Sequence, residues 1–246
     1  MAVAIITGAS RGLGLALARS LSDEGWDLVV DARSVDALHA AADRIRAGGP
    51  GTGTGTVRAV PGDIADAGHR GALVAAATEI GGVDLVVNNA SVLGPSPQPR
   101  LADYPLDVLA RVYEINTLAP LALVQLALPR LRERRGTIVN ITSDAAVEPY
   151  AGWGGYGSSK AALEQLGNVL AAEEPLVHVY TFDPGDMRTQ MHQDAFPGED
   201  ISDRPEPETV VPALLRLLRN APTSGRYRAA DLAPVTASGA ASGATP

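Results

Sequence analysis

Residues 3–14, VAIITGASRGLG, decide the fold of this chain. A short apolar run at 2–7 leads into glycines at positions 8, 12 and 14, and a helical pattern follows at once. Glycine lets the backbone turn tightly and approach a pyrophosphate, while amides at a helix N-terminus supply donors and a positive dipole. The stretch therefore predicts a strand–turn–helix unit that binds a dinucleotide. Taken alone, it is also compatible with a plain strand–helix turn.

Short apolar runs alternate with longer amphipathic stretches along the rest of the chain. The predicted strands are 2–7, 27–31, 57–60, 83–89, 136–143 and 177–183, with a seventh near 226–230. The predicted helices are 12–24, 35–47, 66–80, 106–134, 156–173 and 208–220. The strands are almost continuously apolar, which is typical of strands buried on both faces. This order predicts an α/β fold: a doubly wound parallel sheet of about seven strands with helices on both faces.

The composition excludes several classes of protein. The chain has 246 residues, a formal charge of −8 and no cysteine, so disulfide scaffolds and cysteine-ligated metal centres are excluded. A net negative chain is a poor partner for nucleic acid, and no uncharged apolar stretch reaches the length of a membrane span. The histidines show no metal-ligand spacing, and the N-terminus lacks the basic region of a signal peptide. We expect a cytoplasmic protein without metal, nucleic-acid or membrane partners.

No shift in composition divides the chain into two domains. We expect one domain over residues 1–232, with a proline-rich lid loop at 186–207. Residues 48–56 predict a flexible connection, and the small, uncharged residues 233–246 predict a disordered tail.

Further motifs follow the glycine turn in a fixed order: Asp63, Asn88-Asn89-Ala90, Asn116, Ser143, Tyr156-Gly157-Ser158-Ser159-Lys160 and Pro184-Gly185 with Thr189. The ordered set resembles the short-chain dehydrogenase/reductase family, and the resemblance covers roughly residues 2–232. It implies a single-domain Rossmann-type enzyme that transfers hydride between a nicotinamide nucleotide and a carbonyl or alcohol. Ser91 departs from the family pattern, which has glycine after Asn-Asn-Ala.

The resemblance implies four catalytic residues: Asn116, Ser143, Tyr156 and Lys160. Tyr156 and Lys160 are four residues apart and share one helix face, and an ammonium beside a phenol favours the phenolate. Tyr156 would be the general acid/base, and the Ser143 hydroxyl would bond the substrate oxygen. Lys160 would also hold the ribose, and Asn116 would hold a water that links Lys160 to solvent. Taken singly, these residues are compatible with packing, capping and a solvated amine.

The residues expected to bind the nucleotide lie in the same motifs: Gly8, Ser10, Arg11, Gly12, Leu13, Gly14, Ala32, Arg33, Ser34, Asp63, Ile64, Asn89, Ala90, Tyr156, Lys160, Pro184, Gly185, Met187 and Thr189. Asp63 would meet the adenine ring. At the end of the second strand, the position that selects NAD by an acidic side chain holds Ala32. Arg33 and Arg11 could clasp a 2′-phosphate, so NADP(H) is favoured over NAD(H). Strand alternation should turn Asp31 to the other face; if instead Arg33 is solvated and Asp31 selects, the preference reverses.

The substrate region is described less sharply by the sequence. Trp153, Met191 and His192 are candidate contacts to a medium-sized carbonyl compound, although His192 is also compatible with a solvated loop residue and Trp153 with packing. Helices 106–134 and 156–173 are apolar beyond one stripe, which indicates a homodimer or homotetramer, unless both simply bury against their own sheet. Two alternatives to the enzyme remain open: a catalytically silent NADP(H)-binding sensor or partner module, and a methyltransferase or epimerase on a similar fold.

Overall fold

A computed structural model of the chain describes residues 1–48 and 55–232. Within them, seven strands form one parallel sheet in the order β3-β2-β1-β4-β5-β6-β7. The strands are β1 (Val3–Ile6), β2 (Asp27–Ala32), β3 (Val57–Pro61), β4 (Leu85–Asn88), β5 (Thr137–Ile141), β6 (His178–Asp183) and β7 (Gly225–Arg228). Every residue of β1 and β4 is buried, as the apolar runs predict. The predicted parallel α/β sheet is confirmed.

Helices cover both faces of the sheet and complete three layers. They are α1 (Gly12–Asp23), α2 (Val35–Arg46), α3 (Ala67–Glu79), α4 (Leu106–Tyr113), α5 (Ala119–Arg134), α6 (Gly154–Glu173), α7 (Gln190–Ala195) and α8 (Val211–Asn220). Apolar side chains of α1, α2 and α8 pack on one face, and those of α3, α5 and α6 pack on the other. Strands β1 to β3 follow one another toward one edge of the sheet, and β4 to β7 follow one another toward the other. The direction therefore changes between β1 and β4, and the carboxyl ends of these two strands form the crevice where ligands bind in such folds.

The helix predicted at 106–134 is interrupted. A π-helical turn, Glu114–Leu118, joins α4 to α5 and carries Asn116. Hydrophobic periodicity does not reveal such a turn, because it inserts residues into a pattern that stays helical. By length and composition this combined span is the one described helix that could cross a membrane. Half of its most apolar window is nevertheless buried in the protein, as expected for a core helix.

Two other segments differ from, or lie beyond, the sequence prediction. The lid at 186–207 is not entirely loop, since α7 forms within it with Thr189 as its N-cap, and Thr189 Oγ1 accepts a hydrogen bond from the His192 amide. Most of the predicted flexible connection and the whole predicted tail lie outside the described residues.

Candidate active site

The glycine turn after β1 packs closely against the residues that follow β4. Gly8 has φ +66°, and a Cβ at this position would lie 2.9 Å from the Cα of Ala90. A Cβ at Gly14 would lie 2.6 Å from Asn89 Nδ2, which itself donates to the carbonyls of Thr7 and Gly8. Only glycine therefore leaves this turn intact, and its bare backbone can approach a pyrophosphate closely. These residues fit a dinucleotide.

A cleft of about 1520 Å³ opens at this carboxyl edge of the sheet. It brings together all the residues predicted for nucleotide, substrate and catalysis except two, Gly14 and Asn116, which lie behind the lining. Thr189 reaches the glycine turn from the lid, with its methyl group 3.6 Å from the position of a Cβ on Gly12. The cleft is large enough for a dinucleotide together with a small substrate.

Asp31 lies on the α3 face of the sheet, as strand alternation predicts, whereas its neighbour Ala32 packs on the face covered by α1. The residue borders the cleft, but its side chain is 2% exposed and both carboxylate oxygens have partners. Oδ1 accepts a hydrogen bond from the Gly8 amide at 2.7 Å, and Oδ2 lies 3.0 Å from His69 Nε2. Both partners come from segments distant in the sequence, so strand alternation alone does not predict them.

Three guanidinium groups border the nucleotide end of the cleft. Arg11 and Arg33 are exposed there, as predicted, and Arg44 reaches the same place from α2. Arg44 Nη2 lies 3.5 Å from the carbonyl oxygen of Ser10 and donates to it. No sequence signal singled out Arg44, because a cation in the last turn of an amphipathic helix has the usual pattern of a solvated residue.

Asp63, the predicted adenine contact, is held by Arg111 of α4. Its Oδ2 accepts from Arg111 Nη2 at 2.5 Å, and its Oδ1 accepts from the Ala65 amide at 3.0 Å. Burial raises the pKa of the Asp63 carboxyl, but the Ala65 amide and the Arg111 charge outweigh burial and leave the pKa below its usual value. The carboxylate is therefore ionised and fixed at the rim of the cleft.

Tyr156 and Lys160 project from one face of α6 into the cleft, as their spacing predicts. Lys160 Nζ lies 5.5 Å from the centre of the Tyr156 ring and donates to the Ile141 carbonyl at 2.9 Å. Burial lowers the pKa of Lys160 to about 8, against a smaller raising effect of Glu164. Lys160 is the chain's only lysine; the other 19 of its 20 Lys and Arg residues are arginines. An amine that can titrate therefore occurs at this position alone among the side chains.

The Tyr156–Lys160 spacing predicts a lowered pKa for Tyr156. When only the groups of the protein act on the phenol, this prediction is wrong. Burial is the largest effect and raises the pKa of Tyr156, and the Asp183 and Asp144 charges raise it further. A hydrogen bond with Ser91 acts in the opposite direction. The phenol is therefore protonated at neutral pH, which is the form that can donate a proton.

Asn116 is fully buried in the π-helical turn, and its side-chain amide is saturated. Oδ1 accepts from the Ser91 hydroxyl at 3.1 Å and the Val92 amide at 2.9 Å. Nδ2 donates to the Val92 carbonyl at 2.9 Å and to Ser159 Oγ at 3.0 Å. Ser91, the departure from the family pattern, thus connects Asn116 with Tyr156. The role expected for Asn116, holding a water for Lys160, is therefore left to its backbone carbonyl rather than its side chain.

Ser143 lies two residues after the end of β5, beside an acidic neighbour. Its Oγ donates a hydrogen bond to Asp144 Oδ1 at 2.9 Å and accepts one from the Ala145 amide at 3.2 Å. Tyr150 donates to the other Asp144 oxygen at 3.0 Å. The Ser143 hydroxyl must rotate away from Asp144 before it can donate to a substrate oxygen.

Arg226 of β7 anchors the backbone behind Ser143. Its Nη2 donates to the Ser143 carbonyl at 3.3 Å and to Asp183 Oδ2 at 2.8 Å, while its Nε donates to Glu164 Oε1 at 3.1 Å. One guanidinium therefore connects the loop after β5 with β6 and α6. No local sequence pattern indicates this role, because the network joins residues 62 and 83 positions apart.

Aromatic and apolar side chains form the substrate end of the cleft. The Trp153 ring lies 5.9 Å from those of Tyr156 and Phe196, centre to centre. Met191 of α7 packs against the small cluster that contains Tyr156. His192 lies beside Phe196, with its Nδ1 3.7 Å from Asp186 Oδ1. All three predicted substrate candidates thus reach one chamber beside Tyr156.

Comparisons with known proteins agree with this geometry. The family model described as short chain dehydrogenase matches residues 2–200. A sepiapterin reductase of Mus musculus is 34% identical over 203 residues, covering 78% of this chain and 77% of the relative. A benzil reductase ((S)-benzoin forming) of Saccharomyces cerevisiae is 34% identical, covering 78% and 74%. An alcohol dehydrogenase from the archaeon Thermococcus sibiricus, solved in complex with 5-hydroxy-NADP, superposes with a TM-score of 0.82 at 29% identity, covering 93% and 95%. The chain is therefore an oxidoreductase of the short-chain dehydrogenase/reductase family.

Proposed function

We propose that the protein is an NADP(H)-dependent reductase or dehydrogenase that interconverts a carbonyl compound and its secondary alcohol. The observation that carries the proposal is the meeting of Tyr156, Lys160 and Ser143 in one cleft with the glycine turn. When bound, the nicotinamide supplies or receives the hydride. The chain's own residues position the substrate oxygen and move the proton.

Tyr156 is the general acid for reduction and the general base for the reverse reaction. Its buried phenol is protonated at neutral pH and can donate to an oxygen that gains negative charge. The Lys160 ammonium, 5.5 Å from the ring centre, stabilises the phenolate that remains. Ser143 donates a second hydrogen bond to the same oxygen. Asn116 keeps the π-helical turn beside Ser159 and Val92, where its carbonyl can hold a water for proton exchange.

The preference for NADP(H) is supported by charge at the nucleotide end. Arg11, Arg33 and Arg44 border the same part of the cleft, and guanidinium groups bind phosphate strongly. Asp31, the acid that could oppose a 2′-phosphate, has both oxygens engaged. The structural relative from Thermococcus sibiricus was solved with 5-hydroxy-NADP.

Fluorescence titration with NADPH, NADH and S-adenosylmethionine, followed by a carbonyl screen that monitors NADPH absorbance, tests the proposal. We expect NADPH to bind most tightly and a carbonyl compound to oxidise it. Tyr156→Phe should bind NADPH as the wild type does, while turnover falls at least ~10²-fold. Binding of NADPH without turnover of any carbonyl or alcohol would favour a silent sensor or partner module, and binding of S-adenosylmethionine alone would favour a methyltransferase.

We also propose that the protein works as a cytoplasmic homo-oligomer. Leu118, which precedes α5, exposes 57% of its surface, and Leu126 on α5 exposes 47%. Val169 on α6 exposes 44%. Exposed apolar side chains on two neighbouring helices favour burial against a second copy. The acidic net charge of −8 supports the absence of a nucleic-acid partner.

A further inference from the structure

The position of Asp31 raises a question about nucleotide choice. An acidic side chain at the end of this strand can accept a hydrogen bond from the ribose 2′-hydroxyl of NAD and repels a 2′-phosphate. Asp31 borders the cleft next to Ala32 and Arg33, so its carboxylate belongs to the residue that precedes the expected ribose contacts. A protein that prefers NADP(H), as proposed above, needs that carboxylate directed elsewhere.

Strand alternation turns the Asp31 side chain toward α3, and two donors hold it there. The Gly8 amide binds Oδ1 at 2.7 Å, and His69 Nε2 lies 3.0 Å from Oδ2. The side chains of Asp31 and His69 are 2% and 7% exposed. Both oxygens therefore point into the protein, one toward the glycine turn and one toward α3. Nε2–H donates whether the imidazole is neutral in that tautomer or protonated.

The fold makes a specific place for the His69 ring. His69 lies in the first turn of α3, where its amide donates to the Asp66 N-cap at 2.7 Å. Gly62, at the end of β3, leaves room for the imidazole, because a Cβ there would lie 2.2 Å from His69 Nδ1. The ring is thus held between the β3 end and Asp31, on the side away from the open cleft.

We propose that His69 is a positioning residue for nucleotide preference. By holding Oδ2 of Asp31, it removes the acceptor that would select the ribose 2′-hydroxyl. It thereby leaves the ribose pocket to Ala32, Ser34 and the exposed guanidinium of Arg33. The inference rests on the proposed NADP(H) dependence, and it assigns to a residue of α3 a selection that operates at the end of β2.

The test is the ratio of NADPH to NADH affinity in two variants. His69→Leu removes the donor, and the freed carboxylate should weaken NADPH and strengthen NADH, shifting the ratio of Kd values at least about tenfold toward NADH. His69→Gln keeps a donor and should shift the ratio less than about threefold. His39→Leu, which changes an exposed histidine of α2, is the control and should leave the ratio unchanged. A role confined to stability would weaken both nucleotides equally, and that result would overturn the proposal.

Two further variants keep the test decisive. In a protein that already carries Asp31→Asn, adding His69→Leu should leave the ratio of Kd values unchanged, because the charge through which His69 acts is gone. A shift as large as that caused by His69→Leu alone would overturn the proposal. If His69→Leu does not fold, Gly62→Ala should displace the ring and shift the ratio in the same direction, and an unchanged ratio would again overturn it. If the wild type binds neither nucleotide, or prefers NADH, the proposed NADP(H) dependence itself fails, which is a separate outcome.

Discussion

Replacing Lys160 by methionine should make the protein more stable at pH 7 while removing its catalysis. The ammonium is 2% exposed, and burial lowers its pKa from 10.5 to about 8. Since one pKa unit corresponds to about 1.4 kcal/mol, keeping the charge inside the folded protein costs about 3 kcal/mol. Methionine loses the hydrogen bond to the Ile141 carbonyl, worth about 1 kcal/mol. The net gain is about 2 kcal/mol, or roughly 4–8 °C in Tm for a chain of this length.

The gain should depend on pH in one direction. Below pH 8 the folded protein carries the ammonium, so the whole cost is present. Between pH 8 and 10.5 the folded state loses the proton while the unfolded state retains it, and the cost fades. The advantage of the methionine variant should therefore disappear by about pH 10. The same loss of the ammonium predicts that wild-type reductase activity declines as pH rises above about 8.

Urea denaturation of both proteins at pH 7 and pH 10 measures this difference. Because the chain has one lysine, isotopic labelling of lysine alone gives a single side-chain NMR signal, and its titration reports the pKa directly. A methionine variant less stable than the wild type at pH 7, or a stability difference that is the same at both pH values, would refute the reasoning. A lysine signal that titrates near pH 10.5 would refute it as well.

Three other outcomes are expected. Arg44→Ala should weaken NADPH about fivefold or more in a fluorescence titration and leave NADH nearly unchanged, whereas the control Arg19→Ala on α1 should alter neither; equal losses would exclude a phosphate contact. Arg226→Leu leaves the buried Glu164 and Asp183 without their shared cation and should lower the free energy of unfolding in urea by about 2–3 kcal/mol. This is less than the loss expected for a fully buried pair, because Arg226 is partly exposed. The control Arg228→Leu, at an exposed position, should cost much less. Leu126→Asp should shift an oligomer toward monomer in sedimentation experiments, while Leu176→Asp, at an exposed loop leucine, should not.

The fold was predictable because the central strands carry their own signal. The buried runs around Ile5, Val29 and Val86 are apolar on both faces, and helices of the right length separate them. Boundaries differ by a residue or two, as at the end of β5. The interruption at Glu114–Leu118 was not predictable, because a π-helical turn changes the hydrogen-bond register without changing the residue types.

The site was predictable where short motifs fix local geometry. The glycine turn and the Tyr156–Lys160 pair depend on neighbours within a few positions. The contacts of Asp31 with His69, of Arg44 with Ser10 and of Arg226 with Ser143 depend on how distant segments pack, so no local pattern announces them. The electrostatic expectation for Tyr156 failed for a related reason: spacing places an ammonium nearby but does not tell how deeply the phenol is buried.

The hydrogen bond from Arg226 to the Ser143 carbonyl also bears on when the catalytic loop is completed during protein synthesis. Ribosomes deliver the glycine turn, Ser143 and Tyr156 well before β7, yet the carbonyl of Ser143 gains this donor only after residue 226 has been synthesised and β7 has joined the sheet. A nascent chain that has emerged only as far as β6 therefore lacks one of the ties on its catalytic loop. Enzymatic competence should accordingly arise late in biogenesis, with the docking of the last strand.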